Sequence, residues 1–237
     1  MMKHAFVCAL AVFAGLLNGG QCYGQANPDT YLDGIKTELQ KKWPDNRTIN
    51  LVFHGHSVPT GYANTPNVHR AGAYPFVVFR KLDKKYPYSV VNVITTSIGG
   101  ENSVQGEKRF KKDVLSLRPD VIFIDYALND RSIGLEKARK ADAKMIEMAL
   151  RKHIKVILMT PSPDLRVDIT KPGNILEQFT NMLIGLARQY HVGLVNSYAA
   201  FVKVAQSGQN LHDYMAQVNH PNKKGHAIIA AEIMKWF

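Results

Sequence analysis

Apolar residues fall in two alternating rhythms along the chain. Short runs at Ile49 to His54, Val90 to Thr96, Val121 to Tyr126, Lys155 to Thr160 and Gly193 to Asn196 have the near-continuous hydrophobicity of strands covered on both faces. Between them lie stretches with helical spacing. Residues 29–43 carry Leu32, Ile35 and Leu39, with Asp29 or Thr30 placed to cap. Further helices are predicted over 72–86, 103–117 and 135–152, the last with Leu135, Ala138, Met145 and Ala149 on one face. One more ends at Tyr190, and a final one follows His220. Five strands alternating with helices predict an α/β fold, a parallel sheet with helices on both sides. No internal repeat, linker or low-complexity tract interrupts the pattern, so residues 25–237 read as one domain.

The first 24 residues break this rhythm. Lys3 and His4 precede the apolar run AFVCALAVFAGLL, and small and polar residues follow through Gly24, as in a secretory signal peptide. The run is too short for a comfortable membrane span, so no stable membrane insertion is expected after cleavage, and the protein is expected to be secreted or periplasmic. Gln21 before Cys22 argues against lipoprotein processing. Both cysteines, Cys8 and Cys22, lie in this segment. A mature chain without them excludes disulfides, thiol catalysis and cysteine-ligated metal. The formal net charge is +11. The lysines are spread over many segments, and no aromatic-interleaved basic run appears, which favours a solubilising surface over nucleic-acid binding.

Candidate chemistry gathers where the predicted strands end. The first strand runs through LVFHGHS and presents Ser57 before a loop, 58–70, rich in Pro, Gly and Asn. Serine needs a base and oxyanion donors to act as a nucleophile. His220 lies in NHPNKKGH just before the last helix, Gly99 and Gly100 follow the second strand, and Asn129 follows the third. Such positions converge at the carboxyl edge of a parallel sheet, where ligands bind. Tyr62, His69 and Arg70, in the loop after Ser57, are candidate substrate contacts, as is His56. A rival reading is a metal site: His54 and His56 alternate on one side of an extended chain, with Asp125, Asp130 or His220 as a third ligand.

These residues, in this order, resemble the four sequence blocks of the SGNH hydrolases, also called the GDSL-like esterase and lipase family. Gly55-His56-Ser57 matches Gly-Asp-Ser, and Gly100 in SIGGENS matches the block-two glycine. Ala127-Leu128-Asn129-Asp130 matches Gly-x-Asn-Asp, and Gln217-Val218-Asn219-His220-Pro221 matches Asp-x-x-His-Pro. The resemblance covers nearly all of the chain after residue 48. It implies a flavodoxin-like three-layer sandwich and a serine esterase without metal or other cofactor. Ser57 would attack an acyl carbonyl and His220 would be the general base. The Ser57 and Gly100 N–H groups and the Asn129 amide would hold the oxyanion.

Two departures matter. His56 replaces the aspartate of Gly-Asp-Ser. Gln217 stands where the family has the aspartate that orients the histidine, a position where an amide in a related triad costs roughly 10⁴-fold. Three explanations are open: His220 is oriented by a backbone carbonyl or by Gln217 and works as a dyad, Asp213 substitutes from four residues upstream, or activity is weak. The dyad is favoured, because the Gln217 amide oxygen can accept the Nδ1 proton. Export and a polar cleft loop favour deacylation of a glycan over hydrolysis of long-chain lipids. The alternatives are an O-acyltransferase using the same serine and histidine, or a catalytically impaired carbohydrate-binding or scaffold protein.

Overall fold

The computed structural model describes residues 24–237, so the expected signal peptide lies outside the described residues. In chain order the elements begin with α1 (Asp33–Gln40), β1 (Thr48–Gly55), α2 (Ser57–Thr60), α3 (Tyr74–Lys85), β2 (Val90–Thr95), α4 (Ser103–Asp113) and β3 (Val121–Asp125). Then follow α5 (Ala127–Asp130), α6 (Leu135–Leu150), β4 (Lys155–Met159), α7 (Ile175–Tyr190), β5 (Gly193–Val195) and α8 (Ser197–Gln206). The chain ends with β6 (Met215–Gln217), β7 (His220–Pro221) and α9 (Lys223–Met234).

The expected strands form one five-stranded sheet in the order β2-β1-β3-β4-β5, with every neighbouring pair parallel. Strand alternation divides the core in two. Leu51, Phe53, Val121, Phe123 and Ile157 face α3, α8 and α9, where Val78, Phe201, Ile229 and Ile233 meet them. Val52, Ile122, Ile124, Val156 and Leu158 face α4, α6 and α7, against Phe110, Met145, Ile146 and Leu183. Because both faces are covered, the central strands need apolar residues at successive positions, which is why they read as continuous runs. The strand order reverses direction between β1 and β3. A crevice opens there above the carboxyl ends of the strands, at the switch point where this topology binds ligands.

Several boundaries and several short elements differ from the expectation, among them α2, α5, α8 and the β6–β7 pair. The helix expected over 103–117 ends at Asp113 and continues as a 3₁₀ turn at Leu115–Leu117. Helix α8 was not anticipated, although Asn196 caps it by accepting the Ala199 N–H at 3.0 Å and Tyr198 and Phe201 supply a buried face. Leu135, expected on the buried face of α6, is 36% exposed because it sits in the first turn beyond the sheet. Its place in the core pattern is taken by Ala141 and Ile146.

Within that face lies a buried carboxyl, Asp142, whose Oδ1 has no hydrogen-bond partner. Burial, reinforced by the nearby Asp130 carboxylate, pushes Asp142 well above the usual carboxylate range. A raised native pKa means that the folded chain holds a proton which the unfolded chain releases above about pH 4. Stability from this site is therefore full in acid and falls as pH rises. Asp142→Asn is expected to stabilise the protein at pH 7 by on the order of 1 kcal/mol. The advantage should shrink toward pH 3, as measured by urea unfolding at both values. A variant equally destabilised at the two pH values would contradict this.

Candidate active site

Strand β1 delivers the serine through a close backbone approach. A Cβ on Gly55 would lie 2.4 Å from the Asp125 carbonyl oxygen, so only glycine lets the ends of β1 and β3 approach as they do. The chain then turns directly into α2, where sequence reasoning placed only a loop. His56 is the N-cap, its Nδ1 accepting the Val58 N–H at 3.3 Å. Gly61 ends the turn at φ 99°, with Gly61 and Tyr62 both donating to the Ser57 carbonyl. Ser57 thus stands at the start of a short helix over the β1–β3 crevice, 7% exposed.

His220 reaches it from the other end of the sequence. The β6–β7 hairpin carries it, and Asn222 fixes the hairpin by donating to the Asp213 carbonyl at 2.9 Å while capping α9. His220 Nε2 lies 2.9 Å from Ser57 Oγ. On its far side Nδ1 has two neighbours, the Ala63 carbonyl oxygen at 3.0 Å and Gln217 Nε2 at 2.7 Å. Burial lowers the His220 pKa below the ordinary imidazole value, with the Ala63 carbonyl opposing and His56 adding to the effect. The imidazole is therefore neutral, and able to accept a proton, at a lower pH than a free one would be.

Of the groups expected to replace the missing carboxylate, the structure brings a backbone carbonyl, that of Ala63, to Nδ1. Asp213 is exposed on a 3₁₀ turn and does not reach His220. The expectation that the Gln217 amide oxygen accepts the Nδ1 proton is corrected. That oxygen is taken by the Thr65 N–H at 2.9 Å, which turns the amide nitrogen toward the imidazole. One tautomer cannot serve both neighbours of Nδ1. With Nδ1 protonated, it donates to Ala63 and faces the Gln217 N–H donor. With Nδ1 bare, it accepts from Gln217, and the ring proton moves to Nε2, facing Ser57.

The oxyanion candidates are laced together. Ile98 N–H donates to the Gly55 carbonyl at 3.0 Å, bringing the Gly99–Gly100 turn beside the serine. Gly100 has φ 80°, a left-handed conformation that disfavours any side chain. Asn129, on α5, donates through Nδ2 to the Glu101 carbonyl at 2.9 Å, leaving its second amide N–H for a ligand. Asp130 accepts the Ser103 N–H at 2.7 Å, a second tie between the same two segments. Its carboxyl is pushed up to about 6, chiefly by burial.

Behind this turn is a network that sequence reasoning missed. The buried Glu101 carboxylate accepts from Arg109 Nε at 2.7 Å and from Tyr126 OH at 2.9 Å. Tyr126 also lies 3.1 Å from His54 Nε2. His54 Nδ1 meets Thr96 Oγ1 at 2.8 Å, and burial with the Arg109 charge lowers its pKa to about 3. Both His54 nitrogens are thus engaged away from His56, whose Nε2 lies 3.4 Å from Asp125. Among the described residues no three His, Cys, Asp or Glu side chains converge as metal ligands. The only local signal for the network was the position of Glu101 and Tyr126 beside the matched blocks.

The remaining candidates separate. The Tyr62 ring lies 5.9 Å from that of His220 and packs against Gly99, so it walls the catalytic crevice. Arg70 turns away, bonding Thr95 Oγ1 with its guanidinium 5.5 Å from the Phe76 ring. Among the described residues no helix is long and apolar enough to cross a membrane.

The model of the GDSL-like lipase/acylhydrolase family matches residues 53–228. Solved structures share the fold. A two-domain esterase active on acetylated mannans superposes with a TM-score of 0.71 at 22% identity over 87% of this chain, which spans only 52% of that protein. The same esterase co-crystallised with mannopentaose gives 0.72 at 20% identity, over 91% of this chain and 54% of that one. The acetylxylan esterase Axe2 of Geobacillus stearothermophilus gives 0.69 at 20% identity, over 79% of this chain and 93% of that one. No curated protein matches the sequence.

Proposed function

The chain belongs to the GDSL-like lipase/acylhydrolase family, and from that premise we propose that it is an esterase that removes acyl groups, acetyl above all, from a carbohydrate through a Ser57 acyl-enzyme. The observation that carries the mechanism is the relay Ser57 Oγ, His220 Nε2, His220 Nδ1, Ala63 carbonyl, with contacts of 2.9 and 3.0 Å.

In the first half-reaction His220 Nε2 takes the Ser57 proton as Oγ attacks the ester carbonyl. Nδ1–H meanwhile donates to Ala63. Negative charge moves onto the carbonyl oxygen, met by the Ser57 and Gly100 N–H groups and the free Asn129 amide hydrogen, donors fixed before the reaction begins. The imidazolium then gives that proton to the sugar's ester oxygen as its bond to the carbonyl carbon breaks, and the sugar departs as an alcohol. Water, deprotonated by the same nitrogen, cleaves the acyl-enzyme, releasing the carboxylic acid and restoring the serine.

A carbohydrate ester is supported by the acetylated mannans and acetylxylan named for the fold neighbours. Residues 25–237 act as one domain in this reading. The signal-peptide pattern at residues 1–24 supports a reaction outside the cytoplasm.

Acyl-chain length tests the substrate class. Among p-nitrophenyl esters, acetate is expected to be cleaved with a kcat/KM at least about tenfold above octanoate, since a site built for a short acyl group gains little from added methylenes and must exclude them. Best turnover of the long chain would overturn the acetyl reading.

One observation favours a second reading, a slow or binding-only protein: the Gln217 N–H directed at Nδ1, which supports the non-productive tautomer. A fluorophosphonate probe separates the two by intact mass. Stoichiometric labelling of Ser57 supports the esterase, and no label on folded protein supports the alternative.

A further inference from the structure

On the far side of the His220 loop, an open cleft of about 950 Å³ lies between the 61–72 segment, α3 and the start of α9. Ala63 and Pro221, the carbonyl partner of His220 and its chain neighbour, form the wall shared with the catalytic crevice. The charge of the cleft is of one sign. Arg70, Arg80 and Lys223 line it, and no aspartate or glutamate does. Among the described residues none of these three cations has a carboxylate partner. Arg80 is held at the rim by donating to the Ala71 carbonyl at 2.8 Å.

His226 adds a directed group at the floor. It is 5% exposed, and its Nδ1 accepts the Tyr74 N–H at 3.2 Å. The ring proton therefore sits on Nε2, which has no partner among the described residues on the ring that lines the cleft. Burial, with His220 nearby, lowers its pKa to about 4, so it stays a neutral donor. A donor with no protein partner, on a buried ring that lines a cleft whose cations lack carboxylates, is an arrangement that suits an anion. On a chain of net charge +11, such a cleft also concentrates anions from solution.

We infer that this cleft binds the anionic group of an acidic glycan, a uronate carboxylate or a sulfate ester, and so holds the esterified sugar beside Ser57. The inference rests on the carbohydrate-ester reading and narrows it, because a neutral glycan has no use for three cations without carboxylate partners beside a free ring N–H.

Calorimetric titration of the full chain with de-esterified oligogalacturonate and with a sulfated oligosaccharide of equal length tests it without requiring turnover. At least one is expected to bind, and the tighter of the two identifies the anion. Binding should weaken about tenfold or more in the Arg80→Gln/Lys223→Gln variant and in ~0.5 M salt, where charges are screened within a few ångströms. The kcat/KM ratio for acetylated galacturonan over acetylated mannan should fall at least about tenfold in the same variant, and in a ratio any general loss of activity cancels. Failure of the folded wild type to bind either anion, or binding unchanged in the variant, overturns the inference. Anion binding with no hydrolysis of any glycan ester would instead leave the cleft standing and sink the carbohydrate-esterase reading.

Discussion

Ser57→Ala is expected to lower kcat for p-nitrophenyl acetate by about 10⁶-fold, the scale of losing the nucleophile in a serine hydrolase. The reason is geometric: Ser57 Oγ has the His220 Nε2 acceptor at 2.9 Å and stands at the end of a strand fixed by the Gly55–Asp125 approach. His220→Ala should cost a similar amount, since the hydroxyl is then left without its base. The double variant should lose no more than either single one, because two groups acting in one step give non-additive losses. Residual activity comes from the oxyanion donors and binding, which neither substitution touches. Circular dichroism and thermal unfolding close to wild type would confirm that the fold is unchanged. If Ser57→Ala kept more than a hundredth of the wild-type rate, the hydrolysis would belong to another group.

Gln217→Glu is expected to raise kcat by about 10- to 10³-fold, part of the roughly 10⁴ that separates carboxylate from amide in a related triad. The glutamate has the length of the glutamine it replaces. One carboxylate oxygen keeps the Thr65 N–H, and the other takes the place of the amide nitrogen now 2.7 Å from Nδ1. A donor facing a donor becomes an acceptor facing a donor, so the productive tautomer is favoured and the imidazolium is stabilised. The pH profile carries the same argument. A general base works only when neutral, so activity is lost as pH falls through the His220 pKa. In the wild type that pKa is depressed, mainly by burial, and the acid limb of kcat/KM should lie below about 6.5, the ordinary imidazole value. The new carboxylate favours the charged ring, so in Gln217→Glu the limb should move to higher pH even as the plateau rises. An unchanged plateau and limb would mean that the Ala63 carbonyl already holds the histidine as well as a carboxylate would.

The relation between sequence and site is clearest at the histidine. Gln217 announced a missing carboxylate, yet no side-chain pattern could nominate Ala63, because every residue carries a carbonyl and only the path of the 58–70 loop decides which one meets Nδ1. The amide orientation is similar: Gln217 looks able to accept a proton until Thr65 is found to have taken its oxygen. His54 and His56 alternate as a metal pair would, but a partner set of Thr96, Gly106 and Tyr126 draws His54 to the other side.

By itself the sequence determined the sheet. Continuous apolar runs require cover on two faces, and helical stretches between them provide it, so five parallel strands between two helical layers follow from patterns local to the chain, while the order β2-β1-β3-β4-β5 and the crevice it opens come from the tertiary structure. It also pointed to residues near the carboxyl edge, since Ser57, Gly100 and Asn129 each follow a strand within five residues. Only the tertiary structure decided how the site is held: the Ala63 carbonyl on His220, Glu101 clamped by Arg109 and Tyr126, and the cations that share a cleft with His226. Those contacts join residues far apart in the chain, and hydrogen bonds and charges of that kind are fixed by packing rather than by any local spacing.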